Sequence, residues 1–170
     1  MKKWPNTQQS QECEIKEFIR LYKIFAHGRD FVIEESQREK PDYIVKDVAT
    51  GEKFGVELTS TYLNDRSVPD VHKKEGFKGI PYCPNEINLY KNRIIKKIKE
   101  KIEKARKEYD VICPLILSIY ANEYITIHME DNDWNTFAKE NKQVLDLMQP
   151  FIEIVIWSLH GRVFSIRNST

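Results

Sequence analysis

Cysteine is scarce and poorly spaced for chemistry: Cys13, Cys83 and Cys113 are odd in number and form no Cys-x-x-Cys pair. A disulfide framework and a zinc site are both excluded, and the three read as small packing residues. Glycine is scarce too, at six residues. None builds a phosphate-cradling loop, because Gly51 and Gly55 sit in a strand-turn-strand pattern and neither Gly76 nor Gly79 leads into Gly-Lys-Ser. No Gly-x-Ser-x-Gly surrounds Ser60, Ser118 or Ser165, so a serine hydrolase has no foothold. His27, His72, His128 and His160 are scattered singly and read as turn or surface residues. No apolar run approaches the roughly 18 residues of a membrane span. The opening Met-Lys-Lys-Trp-Pro leads into polar residues, not a signal-peptide core. A cytoplasmic protein with no membrane partner is expected. Net charge is nearly absent as well: 27 basic residues against 26 acidic ones leave +1, so the molecule as a whole is no general polyanion binder.

The charge is unevenly placed. Between Lys91 and Glu108 the basic residues outnumber the acidic ones by six, which leaves the rest of the chain at −5. With 170 residues, the chain is expected to be a single domain over 1–170. The segment from Pro41 to Ser60 reads as a β-hairpin: Tyr43, Val45 and Val48 on one arm and Phe54, Val56 and Leu58 on the other, around a Thr-Gly turn. If Asp47 pairs with Glu52 across a four-residue turn, Asp42 stands opposite Glu57, with Cβ atoms roughly 5 Å apart. Two anions that close repel unless a cation or a shared proton intervenes. Gly55, Glu57 and Thr59 share the face opposite to Phe54, Val56 and Leu58. Hard oxygen ligands on a rigid hairpin suit Mg²⁺, while a solvated outer sheet face is the alternative.

These residues resemble the PD-(D/E)XK nuclease superfamily, the restriction-endonuclease-like fold. Pro41-Asp42 matches the start of its motif and Glu57-Leu58-Thr59 the second half, with Thr59 where the family has lysine. The resemblance runs from about Glu12 to about Ile119. It implies an α/β fold with a central mixed β-sheet flanked by helices, an αβββαβ core, followed here by a C-terminal helix and β-hairpin. It implies a metal-dependent nuclease that hydrolyses phosphodiester bonds of DNA or RNA. Asp42, Glu57 and the carbonyl of Leu58 would bind Mg²⁺ or Mn²⁺, and Glu14, in preference to Glu17, would complete the site from the first helix. For the missing lysine, Lys91 is preferred, with Lys97 and Lys101 flanking the same helical stripe. Nucleic acid, DNA first, is the partner implied, with a homodimer left open. Because Thr59 cannot carry charge, a catalytically inactive nucleic-acid-binding or protein-interaction member of the same fold is the alternative.

Elsewhere the spacing predicts a helix over Gln9–Ala26, a strand over Phe31–Glu35, a long helix over Asn85–Tyr109 and a buried strand over Leu115–Tyr120. A helical crossover of that length implies parallel pairing in the sheet. Asp133–Met148 reads as a helix, preceded by an acidic turn, and Phe151–Trp157 with Arg162–Ile166 as a hairpin that extends or covers the sheet. Residues 61–84, rich in Gly and Pro and without period, read as a long flap.

Overall fold

The three-and-four spacing of Ile15, Phe18 and Tyr22 gives helix α1 (Thr7–Phe25) one buried face, which Leu21 shares, while Lys16, Arg20 and Lys23 stay exposed. The helix stops where His27 and Gly28 both take positive φ, 50° and 91°. Cys13 lies on the outer face and is exposed, which corrects its expected packing role.

The computed structural model describes residues 7–35, 40–62, 84–158 and 160–168. Strands β1 (Phe31–Glu35), β2 (Tyr43–Asp47) and β3 (Lys53–Thr61) form an antiparallel meander. Helix α2 (Pro84–Glu108) opens one residue before Asn85, the expected start, and crosses over to β4 (Leu115–Ala121), which pairs parallel with β3. A 3-10 turn (Tyr124–His128), helices α3 (Asp131–Glu140) and α4 (Lys142–Leu145), and strands β5 (Phe151–Ser158) and β6 (Val163–Arg167) follow. The result is a six-stranded mixed sheet in the order β1 to β6, with β5 parallel to β4 and β6 antiparallel at the edge. The C-terminal hairpin thus extends the sheet. Of the segment expected to be a flap, residues 63–83 lie outside the described residues; Thr61 ends β3 and Pro84 begins α2.

The sheet buries both faces. Ile94, Ile98 and Ile102 of α2 cluster with Leu117, Ile119 and Ile154 and with Trp134 and Phe137 of α3. On the other face Ile15, Phe18 and Tyr22 cluster with Phe54, Val56, Leu58, Ile116 and Val155. Strand β4 is therefore largely apolar, as a central parallel strand must be, and its buried Ser118 accepts a hydrogen bond from Trp157 Nε1 at 2.9 Å. Tyr22 also donates to the buried carboxylate of Glu153 at 2.7 Å, and Ser165 and Arg167 hold the other oxygen, so α1 is tied to β5 and β6.

The single helix expected over Asp133–Met148 is two. Asn141 leaves helical backbone at φ −107° and ψ 17°, and its side-chain amide donates to the Phe137 carbonyl at 2.8 Å, capping α3 in place of the next turn. The acidic turn before α3 is a capping box, in which Glu130 and Asp133 each accept the other's backbone N–H. Among the described residues no helix is long and apolar enough to cross a membrane.

Candidate active site

The hairpin turn sets the register. Asp47 accepts hydrogen bonds from the backbone N–H of Ala49 and Thr50 at 2.8 and 3.3 Å, and Gly51 supplies the positive φ of 75° that closes the loop. Pairing then runs Lys46 with Lys53, Val45 with Phe54, Ile44 with Gly55 and Tyr43 with Val56. Continued one step, the same register would bring Asp42 opposite Glu57, just before β2 begins. Strand β2 begins at Tyr43 whereas β3 continues to Thr61, so among the described residues no strand pairs with that edge of β3 beyond Val56, which leaves a notch. Into it points the N–H of Leu58, which donates to Asp42 Oδ2 at 2.8 Å. The N–H and C=O of one strand residue face the same neighbour, so the Leu58 carbonyl also opens into the notch. A Cβ on Gly55 would sit 2.5 Å from Leu115 Cδ2 and 2.6 Å from Pro41 Cγ. The bare glycine is what lets the Pro41 ring lie on β3 and aim the next residue, Asp42.

Asp42 has a second acid on each side of the sheet, Glu57 and Glu14. Glu57 is buried on the α2 side, where its Oε1 accepts from Lys101 Nζ at 2.6 Å and its Oε2 is buried. The Tyr109 hydroxyl, at the end of the same helical stripe, is also buried and lies beside Glu57. Burial, then Glu57 and Asp42, hold its pKa above the usual phenol range. From the α1 side comes Glu14, whose Oε1 is buried without a partner. Burial, and secondarily the charge of Asp42, push its pKa up to about 7 against the opposing pull of Lys101 and a hydrogen bond from Ser60. Burial and then Glu57 push Asp42 up to about 6, opposed by the Leu58 N–H, Lys101 and Lys104. The cation that lets these anions approach is Lys101.

Lys91 is placed elsewhere. Its buried side chain faces Asp133 of α3, with Nζ 3.6 Å from the carboxylate. Ten helical positions separate it from Lys101, about 15 Å along the axis. Lys97 pairs with Glu100 at 3.0 Å on the exposed surface, and Glu17 with Arg20 at 2.6 Å, away from the acids. Thr59 shares the face of Glu57 and is partly exposed. Sequence reasoning missed Ser60 and Tyr109. Tyr109 carried a signal, being a hydroxyl-bearing residue at the end of an otherwise apolar stripe.

Scanned against protein-family models the chain matches none, and no curated protein matches its sequence. Among solved structures it is similar to that of SfsA from Pyrococcus furiosus in complex with Ca²⁺, at 14% identity and a TM-score of 0.32. That match covers 92% of this chain and 63% of that one, so the chain spans under two thirds of the neighbour's length. The chemistry of the notch therefore rests on this chain's own residues.

Among the described residues no group of three His, Cys, Asp or Glu side chains forms a ready-made metal cage. The donors in the notch still suit a hard cation. They are all oxygens; Glu14 Oε1 is buried without a partner among the described residues, and Glu57 Oε2 has the Tyr109 hydroxyl beside it. Mg²⁺ takes one or two carboxylates and keeps water and phosphate oxygens in its other positions, so Asp42, Glu57 and the Leu58 carbonyl are a sufficient protein set.

Proposed function

We propose that this chain is a divalent-metal-dependent nuclease of the restriction-endonuclease-like fold, hydrolysing phosphodiester bonds of DNA. The observation that supports it best is the notch on the edge of β3. Asp42, Glu57 and the Leu58 carbonyl lie around Lys101, and Glu14 reaches toward Asp42 from the α1 side. Carboxylate oxygens of Glu14 and Glu57 are buried there, with no hydrogen bond to satisfy them among the described residues beyond the neighbouring Tyr109 hydroxyl. Leaving buried oxygens unpaired costs about 1–3 kcal/mol each, so a site arranged this way suits a ligand that satisfies them.

Asp42, Glu57 and the Leu58 carbonyl would hold Mg²⁺ or Mn²⁺. The bound ion supplies charge neutralisation at the scissile phosphate and acidifies a bound water. Glu14, titrating at about 7, is poised to accept a proton from that water near neutral pH. Lys101 brings the positive charge that Thr59 lacks, from a helix rather than from β3. Thr59 keeps a hydroxyl on the same face, able to orient water but not to balance the phosphate's charge. Along α2, Lys97, Lys101 and Lys104 recur at four and three residues, a stripe whose exposed outer members suit backbone phosphates on either side of the notch.

The test is incubation of the purified protein with plasmid, linear, single-stranded and RNA substrates in Mg²⁺ or Mn²⁺. Asp42→Asn and Glu57→Gln should each remove cleavage. Retained cleavage in both variants would sink the assignment of the site. Binding without cleavage in the parent chain would favour the inactive nucleic-acid-binding reading, which the threonine at position 59 supports.

A further inference from the structure

Lys101 does more than flank the acids. Its Nζ lies 2.6 Å from Glu57 Oε1 and 3.5 Å from the Leu58 carbonyl oxygen, so one ammonium touches two of the three groups assigned to the metal. Its charge also reaches the third, Asp42, and Glu14 beyond it. The Lys101 side chain is only 19% exposed and that of Glu57 3%, so the pair is held inside the protein and is not a surface ion pair. Once its acids ionise, a buried carboxylate cluster of this kind needs a counter-charge.

We propose that Lys101 is a built-in place-holder cation: its ammonium occupies the metal's ligands in the metal-free chain and is displaced when a divalent ion enters. This rests on the metal-site reading above. A primary ammonium and a hydrated divalent ion compete for the same oxygens, and Glu57 Oε1 and the Leu58 carbonyl cannot serve both in the same geometry. The stem of Lys101 is unbranched and rooted on the surface of α2, so rotation about its four side-chain bonds swings Nζ out of the notch without moving the helix. Displaced outward, the ammonium points to where a phosphate bound at the notch would lie. Metal entry would thereby arm the lysine for substrate, and metal loss would return it to Glu57. The chain would stay folded and charge-balanced in both states.

The experiment reads the lysine directly. The wild-type chain is treated with a water-soluble acetylating ester, with and without Mg²⁺, and acetylation is quantified peptide by peptide. Lys101 should react slowly in the metal-free protein and several-fold faster in saturating Mg²⁺, while exposed Lys139 on α3 stays unchanged. In parallel, calorimetry with Mg²⁺ should show about tenfold tighter binding for Lys101→Gln and less than a twofold change for Lys104→Gln. The latter removes a nearby charge without touching the ligands. Equal tightening in the two variants would mean long-range repulsion alone and overturn the place-holder role. So would Mg²⁺ binding with no change in Lys101 acetylation. Should Mg²⁺ bind to none of the proteins, both the place-holder and the metal site fall together.

Discussion

Glu14 offers the most direct test of how the site is built, because its burial has a thermodynamic signature that needs no substrate. In the unfolded chain its carboxyl titrates at 4.5, and in the folded one at about 7, through burial first and Asp42 second. Between those two values the folded state holds a proton that the unfolded state has released. Stability must therefore fall as pH rises through that window, and level off above it. At about 1.4 kcal/mol per pH unit, the full penalty above pH 7 is about 3 kcal/mol. Asp42, raised to about 6 by burial and then Glu57, acts in the same direction over a neighbouring range. Glu14→Gln removes the acid and keeps the shape. Measured by urea unfolding in EDTA from pH 4.5 to 8.5, the variant should gain on the wild type steadily as pH rises, by about 3 kcal/mol at the top of the range. In a thermal melt at pH 8 that is a Tm higher by on the order of 10 °C for a chain of this size. The offset at pH 4.5 reflects only how glutamine packs. Parallel curves for the two proteins across the whole range would show that Glu14 is solvated, and the notch would lose its third acid.

Gly55→Ala should destabilise the fold by about 1–3 kcal/mol, since a Cβ there meets the Pro41 ring at 2.6 Å. It should also weaken Mg²⁺ binding by displacing Asp42, and calorimetry finding full Mg²⁺ affinity in the folded variant would refute that link. Glu57→Gln should lose at least a hundredfold in cleavage rate. It should also melt lower than the wild type in EDTA, because Lys101 loses its buried partner; a higher Tm would mean that repulsion from Asp42 outweighs that ion pair. If DNA runs along α2, replacing Lys97 and Lys104 with Gln should flatten the slope of log affinity against log salt by up to about 0.9 for each phosphate no longer neutralised. An unchanged slope would place the nucleic acid on another surface.

Much of this protein was determined locally. The Thr-Gly turn, with Asp47 and Glu52 on either side, fixes a register that no distant contact needs to enforce, and the pairing runs as far as Tyr43 with Val56, the position before Asp42 and Glu57. The apolar stripes of α1 and α2 and the mostly apolar run of β4 likewise follow from side-chain periods of 3.6 and 2, which are properties of the chain itself. Other features were settled only by packing. Lys91, Lys97 and Lys101 all border one stripe, and which of them reaches Glu57 depends on how far α2 slides along β3, a distance that neither element encodes alone. Glu14 and Glu17 lie almost one turn apart on α1; the crossing of that helix over the sheet turns one toward Asp42 and leaves the other with Arg20. The break at Asn141 hid inside a helical pattern because a capping amide competes with the next turn by a small margin, one that tertiary contacts decide. The division follows range: turns and stripes depend on neighbours a few residues away, whereas the notch is made by Glu14, Asp42, Glu57 and Lys101, whose juxtaposition exists only once the sheet and both helices have packed.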